Sequence, residues 1–429
     1  MEDLMTGQLN VGVAEGCTPR LLRELNDTES LDAYRGTGGY AALPDPETFV
    51  TTVTDGGLLG RGGAAFPLGR KLSTVRNAGV RPVVLANGEE GEPASVKDRW
   101  LLRYRPHLVL DGLRLAAHTV GAGRAVLYVS DPAGARAVAA AIADFDGVLG
   151  GAALELVTVE PGYVAGEETA AVRAVNGGPA KPTDKPPRPF QEGVDGRPTL
   201  VSNVETLAHL PFLLAHGAAE YRSVGTPGSP GTFLSTVTGA GAPVTYELAH
   251  GTPVPELLAR HGVSTDRVTG LLLGGYFNGL INRRVLDASM DHETLRGLGA
   301  GLGCGAIAVL TEETCPVAVA AAVLRYFDRE NAGQCGSCFN GTAAMAAAAE
   351  ALRDGLATGE DLDRLRRWST VLRGRGACGT LDAATNVAAS LFAEFPDEVS
   401  AHLGGRCPTC AAHPYTAVRP FEVEAGELV

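Results

Sequence analysis

The strongest constraint on the fold is an alternation between residues 81 and 159. Three short runs rich in apolar and β-branched residues, "RPVVLAN", "RAVLYVS" and "ALELVTV", are separated by the helix-length segments "HLVLDGLRLAAHTVG" and "ARAVAAAIADF". Strand, helix, strand, helix with apolar strands argues for a parallel sheet covered on both faces, because parallel strands are joined by crossovers that pack against the sheet. Around "GVDGRPTLVSNVETLAHLPFLLAHG" the pattern closes with a helix. "SVGTPGSPGT" (223 to 232) is a Gly/Pro/Ser-rich break and reads as a domain boundary. After it, "TFLSTVTG" and "PVTYEL" read as paired strands, "PVPELLARHG" as a short helix and "VTGLLLGG" as another strand, together a small α+β module.

From about Cys315 the texture becomes helical. "PVAVAAAVLRYFDREN", "FNGTAAMAAAAEALRDG", "EDLDRLRRWSTVLRGRG" and "LDAATNVAASLFAEF" are four helix-length segments with short connections, the pattern of a bundle. Val387, Leu391 and Phe395 recur on one helical face, Pro316 suits a first turn and Gly355 a helix end. Residues 1–40 read as a loosely ordered lead-in and the Pro/Gly-rich stretch from 405 to 429 as an irregular tail.

The formal net charge of −13 disfavours non-specific binding to nucleic acid. No run of eighteen apolar residues is present, so no membrane-spanning helix is expected, and the acidic start has no signal-peptide pattern. A cytoplasmic protein, peripheral to a membrane through partners, fits these features. Of eight cysteines, Cys335, Cys338, Cys378, Cys407 and Cys410 fall in the last hundred residues as two CxxC pairs plus one. In a reducing compartment such clustering reads as metal or cluster binding rather than cystine. Cys17, Cys304 and Cys315 stand alone and read as small packing residues.

"GGLLGRGGAAFPLGRK" places Gly60, Gly62, Gly63 and Gly69 around Arg61, with Lys71 following. Bare backbone N–H groups plus two cations suit a phosphate cradle, with a flexible loop as the plain alternative. "VVLANGEEGEPASVKDR" puts Asn87, Glu89, Glu90 and Glu92 directly after an apolar strand, where open α/β sheets bind ligands. "GYVAGEETA" supplies Tyr163, Glu167 and Glu168, adjacent carboxylates suited to accepting hydroxyls such as those of ribose. Asn203 and Thr206 in "VSNVETL" stand at a helix start, where capping is the simpler role.

Five motifs in order, "GLLGRGGAAFPLGRK", "NGEEGEP…KDR", "YVAGEETA", "KPTDKPPRP" and "VSNVETL", resemble the flavin-bearing, NADH-oxidising subunit of respiratory complex I. They also resemble the diaphorase subunits of NAD-linked hydrogenases and formate dehydrogenases. "QCGSC" and "GACGTLDAA" are similar to that family's cluster-binding segment, and the resemblance spans roughly residues 45 to 404. It implies a Rossmann-like FMN domain over 41–225, a β-grasp module over 230–310 and a four-helix bundle with a [4Fe–4S] cluster over 315–404. By motif, Gly60, Arg61, Gly62, Gly63 and Lys71 would wrap the flavin phosphate and approach the ring, and Asn87, Glu89, Glu90 and Gly91 would contact the flavin. Asn203 and Thr206 would line its polar tail. Phe66, Glu92, Tyr163, Glu167, Glu168 and Lys185 would shape the NADH site, with Glu90 and Glu92 the candidate catalytic groups. The implied partner is a small iron–sulfur redox protein or a thioredoxin-like [2Fe–2S] subunit, with a membrane electron acceptor beyond it.

The chain departs from the family at Ala65, Leu72, Glu89, Gly91 and Arg188, where Gly, Trp, Asp, Ser and an aromatic residue are usual. Arg188 can stack on adenine or bind a 2′-phosphate, which leaves the choice between NADH and NADPH open. The cluster motif has Ala332 where the family has its first cysteine. Cys335, Cys338 and Cys378 then leave a [3Fe–4S] centre, a cubane with one different ligand, or a fourth thiolate from Cys407 or Cys410. A zinc site and an empty bundle are the alternatives. At the level of function, a flavin-only NAD(P)H dehydrogenase and a non-catalytic assembly or nucleotide-sensing subunit stand beside the NADH dehydrogenase reading.

Overall fold

The computed structural model describes residues 11–13, 19–145, 147–149 and 151–423. Ten strands are described: β1 (Val11–Val13), β2 (Val83–Gly88), β3 (Arg124–Val129), β4 (Ala153–Thr158), β5 (Thr199–Asn203), β6 (Thr232–Thr238), β7 (Val244–Ala249), β8 (Val268–Leu273), β9 (Leu280–Asn282) and β10 (Ile307–Thr311). The three runs that the alternation predicts are β2, β3 and β4. They form a parallel sheet of order β4-β3-β2-β5. Val84, Ala86, Ala125 and Leu127 face one covering layer, and Val83, Leu85, Val126 and Tyr128 face the other. This is the period-two alternation of strands buried on both sides. The expected closing helix is preceded by β5, which runs without a break into the helix Val204–Ala208. The chain adds β3 and β4 on one side of β2 and returns to place β5 on the other, so the sheet reverses direction at β2. Ligands bind at the carboxyl ends of strands at such a reversal.

The second sheet has order β1-β7-β6-β10-β8-β9 and mixes parallel with antiparallel pairs. It contains the expected strands plus β9 and β10. It also draws in the amino-terminal segment, because β1 pairs in parallel with β7. The described part of the lead-in is therefore not loose. The carboxylate of Glu247 accepts the backbone N–H groups of Leu21 and Leu22 at 2.8 and 2.9 Å and that of Arg20 at 2.9 Å. Leu21 and Leu22 are fully buried.

Helices Pro316–Glu330, Gly336–Arg353, Gly359–Val371 and Thr380–Glu394 correspond to the four segments read from sequence. Alanines on the facing sides let the first two approach closely, burying Ala318, Ala321, Ala346 and Ala349. Thr358 and Asp361 make a reciprocal capping box at the third. A short helix, Pro396–Ala401, precedes the tail, which is not wholly irregular but holds another, Pro408–Ala412. The tail crosses Gly355, whose φ of +71° suits glycine and where a Cβ would come within 2.5 Å of the Gly405 carbonyl carbon. The tail then returns to the first half of the chain, where Val423 N–H bonds the Pro93 carbonyl at 3.0 Å.

Glu247→Ala would leave several buried N–H groups without an acceptor. A loss of about 3 kcal/mol is expected, read as a lower thermal midpoint with earlier proteolytic cleavage near residues 19–30.

Candidate active site

A cavity of about 1010 Å³ opens at the carboxyl ends of β2 and β5. Pockets for single small ligands span roughly 300–1,000 Å³, so this one has room for two large planar groups. Gly60, Gly62, Gly63, Phe66, Lys71, Asn87, Glu89, Glu90, Gly91, Glu92, Tyr163, Glu167, Glu168, Lys185, Asn203 and Thr206 all line it. Five separate sequence motifs thus converge on one space.

The glycine-rich loop is closed by Gly60 N–H on the Phe66 carbonyl at 3.0 Å and by a bridge between Leu59 and Pro67. Gly63 has φ +110°, and a Cβ at Gly62 would come within 3.3 Å of Asn203 Cβ, so the backbone passes close to the end of β5. Ala65, where the family favours glycine, takes φ +50°. Lys71 donates to the Val201 carbonyl at 3.0 Å, and burial lowers its pKa although Glu168 opposes the shift. Among the described residues no carboxylate forms an ion pair with Lys71, which leaves a partly desolvated cation suited to an anionic ligand.

Arg61 is a correction to the sequence reading. Its side chain is buried away from the cavity and donates to the carbonyls of Leu59 and Thr232 at 3.1 and 2.8 Å and to the Tyr221 hydroxyl at 3.2 Å. Its guanidinium also lies 3.9 Å from Glu205. Its backbone N–H donates to Thr206 Oγ1 at 2.8 Å, and its side chain braces the loop from behind through Leu59. Glu205 and Lys97 escape the sequence reading altogether. Lys97 pairs with Asp98 at 2.7 Å and Glu205 at 2.9 Å, and Asp98 accepts from Asn203 Nδ2 at 2.7 Å. Burial works against the Lys97 charge, but Asp98 and Glu205 outweigh it and raise the pKa. The adjacent opposite charges in "VKDR" are the local signal for this floor of the cavity.

The acidic loop is more divided than its sequence implies. Glu90 is held by Ser95 Oγ at 2.6 Å and the Arg99 N–H at 3.0 Å. Glu92 accepts the Tyr276 N–H at 2.9 Å, and burial pushes its carboxyl up to about 7. Glu89 is buried, one of its oxygens has no partner, and desolvation raises it to about 8. A buried carboxyl with one unpartnered oxygen, on a residue that lines a cavity, fits a ligand that supplies a hydrogen-bond partner. Asn87 donates to the Gly166 carbonyl at 2.8 Å. Asn203 caps its helix by accepting from Glu205 N–H and also lines the cavity, so capping and site roles coincide. Glu167 is not a free hydroxyl acceptor in this structure, whereas Glu168 has only ion pairs at 3.7 and 3.9 Å. Glu167 caps the helix Glu168–Val175 and pairs with Lys185 at 2.7 Å, while Arg188 lies 3.7 Å from Glu168.

Cys335, Cys338 and Cys378 surround a second, small cavity with Ala332 and Gln334. Burial first, then the neighbouring Cys378 and Cys335, push the Cys338 thiol up to about 12. Cys378 lines both this cavity and the large one. Cys407 and Cys410 are not the missing fourth ligand. They gather with Cys315 and His402, and neither lines the small cavity. The reason is the length of the helix Pro316–Glu330. Cys315 precedes it and Cys335 follows it, and fifteen residues of helix span about 22 Å. Cys315 is thus part of a polar group rather than a packing residue. Cys304 lines the large cavity, and Cys17 lies outside the described residues.

Glycine loop, buried carboxyls and a cysteine cavity at one wall are the features of a flavin-dependent NADH dehydrogenase with an iron–sulfur region. Residues 53–211 match the Nuo51 FMN-binding domain, and residues 318–402 match the NADH-ubiquinone oxidoreductase-F iron–sulfur binding region. The chain is 32% identical over 416 residues to the second F-type subunit of NADH-quinone oxidoreductase of Rhizobium meliloti, covering 91% of this chain and 99% of that protein. It is 33% identical to the corresponding NADH-quinone oxidoreductase F-type subunit of Aquifex aeolicus, covering 86% and 90%. It is 30% identical to the NADP-reducing hydrogenase subunit HndC of Solidesulfovibrio fructosivorans, covering 94% and 86%. A solved NAD+-reducing [NiFe]-hydrogenase superimposes with a TM-score of 0.77 at 31% identity, covering 84% of this chain and 63% of that one. The chain belongs to the family of F-type subunits of NADH-quinone oxidoreductase.

Glu89 carries a testable pH signature. Its folded pKa of about 8 lies above the ordinary 4.5, so the folded state favours the protonated form. That contribution is intact below pH 4.5 and is lost as pH rises through about 8. Thermal melts of FMN-free Glu89→Gln should therefore exceed wild type at pH 8 and above, and converge with it near pH 4.

Proposed function

We propose that this chain is the NADH-oxidising, FMN-dependent module of a larger redox assembly, passing electrons through its iron–sulfur region to a partner iron–sulfur subunit. The observation that carries the reading is Cys378, which belongs to the walls of both the nucleotide cavity and the cysteine cavity. Bound FMN supplies the exchange between the two-electron chemistry of NADH and the one-electron chemistry of an iron–sulfur centre. The chain's own residues bind and orient. Gly60, Gly62, Gly63 and Lys71 would take the phosphate, and Asn203 and Thr206 the polar tail. Asn87, Glu89, Glu90 and Gly91 would face the flavin. Phe66, Glu92, Tyr163, Glu167, Glu168 and Lys185 would receive the nicotinamide nucleotide. Glu92, with a pKa close to neutrality, is suited to holding or releasing a proton at working pH. Glu90, clamped by Ser95 and Arg99, keeps its carboxylate in one orientation.

In this reading the parallel-sheet unit is a Rossmann-like FMN domain, the second sheet contains a β-grasp module, and the four helices form the iron–sulfur bundle. Cys335, Cys338 and Cys378 would supply three cluster ligands, with a non-thiolate corner beside Ala332. The absent thiolate also favours a second reading, a flavin-only dehydrogenase that reduces a soluble acceptor. Among the described residues no helix is long and apolar enough to cross a membrane, which leaves any membrane contact to partners.

Anaerobic purification with iron and sulfide assays separates the two readings. Flavin absorbance after FMN reconstitution, accompanied by iron and sulfide that fall in Cys378→Ser, is expected. Flavin without iron selects the second reading, and absence of flavin rejects both. Loss of one charge-assisted phosphate contact in Lys71→Ala should weaken FMN binding by about 10- to 100-fold, measured by fluorescence titration. Arg188→Phe should lower the ratio of NADPH to NADH reduction rates several-fold if Arg188 meets the 2′-phosphate, and an unchanged ratio removes it from nucleotide choice.

A further inference from the structure

Cys315, His402, Cys407 and Cys410 are all buried, and their ligand atoms all lie within 4.8 Å of one another. Among the described residues they are the one group of three or more Cys, His or acidic side chains drawn together this tightly. Cys315 Sγ is 3.8 Å from Cys407 Sγ and 3.3 Å from His402 Nε2, which is itself 3.8 Å from Cys410 Sγ. A tetrahedral ion with metal–sulfur distances of about 2.3 Å sets its thiolates about 3.8 Å apart. A cubane places several metal atoms between its thiolates and needs them further apart. The three cysteines of the group also stand outside the matched iron–sulfur region, which runs from 318 to 402 and contains only His402 of the four.

We propose that this group is a separate structural site for a single zinc ion, held by three thiolates and one imidazole. The ligand count is complete, with no position left open for substrate, as structural zinc sites require. Cys407-Pro-Thr-Cys410 supplies a tight CxxC turn in which the Cys410 N–H points to Cys407 Sγ at 3.3 Å. Binding the ion releases the thiol protons to solvent and involves no change of oxidation state. Three thiolates around a divalent cation leave one net negative charge, and Arg353 and Arg406 lie within electrostatic reach of Cys410.

The site has a mechanical role in this chain. Beyond Cys410 the tail runs back toward the nucleotide cavity, where Tyr276 OH donates to the Pro420 carbonyl and Val423 bonds Pro93. Tyr276 also donates its N–H to Glu92. An ion at the tetrad therefore fixes the origin of a strap that backs the acidic loop.

Elemental analysis of the anaerobically purified full chain tests the proposal. Wild type is expected to hold about one zinc ion per chain, with X-ray absorption at the zinc edge showing three sulfurs and one nitrogen. Cys407→Ser/Cys410→Ser should lose the zinc while keeping the iron and sulfide of wild type, and should be cleaved earlier by protease in residues 405–423. His402→Cys, which keeps four zinc-competent ligands, should retain zinc. Cys335→Ser should leave zinc unchanged. The proposal is overturned if wild type carries no zinc, if its absorption spectrum shows another ligand set, or if zinc persists in the double variant. It is equally overturned if the double variant loses iron and sulfide that Cys335→Ser keeps, which would make the tetrad the cluster site. The wild-type spectrum decides the matter even if the variants do not fold.

Discussion

Two cations and two carboxylates share a buried space beneath the nucleotide cavity, and the rest of the architecture is arranged around keeping them paired. Lys97 meets Asp98 and Glu205, Arg61 approaches Glu205, and Glu205 also accepts the Leu234 N–H from the second sheet at 2.8 Å. Isolated burial of any one of these charges would cost several kcal/mol. Together they tie the glycine-rich loop, the helix Lys97–Tyr104, the end of β5 and the start of β6 into one floor. The loop that faces the ligand is thus positioned from behind by an arginine that does not itself reach the cavity.

The cysteines obey a different economy of space. Beyond one end of the helix Pro316–Glu330, three thiols surround a small cavity that shares Cys378 with the large one. The other end carries a closed tetrad of single-ion dimensions. Open and closed ligand sets suit different tasks, since a centre that exchanges electrons benefits from proximity to its donor whereas a structural ion benefits from burial. Separation along one rigid helix keeps the two sets from competing for each other's metal.

Much of this is legible in sequence because its signals are local. The apolar runs that form β2, β3 and β4 are bounded by turns and separated by helix-length segments, and the four long helices after Cys315 have clear starts and stops. β5 is hidden because "TLVSN" passes into "VETL" with no breaker between them. β1 and β9 have only three residues each, and pairing with distant strands decides them. The glycine-rich loop does line a cavity, as its composition suggests, but Arg61 does not, and nothing local reveals its partner 144 residues away, Glu205. His402 and Cys315 are 87 residues apart, so no spacing motif announces that they meet. Residues whose partners are distant are the ones that local patterns misplace.

The tail strap gives the chain a built-in order of completion. Arg99 and Val423 are bonded across 324 residues, and the Pro93–Val423 contact lies beside it. Contacts of such separation form late, because the loop-closure entropy must be met before they contribute. During synthesis the acidic loop is made early, yet its backing arrives only after the whole helical region has been made. The acidic loop of the large cavity is thus backed by residues made last, which are not themselves part of the cavity lining.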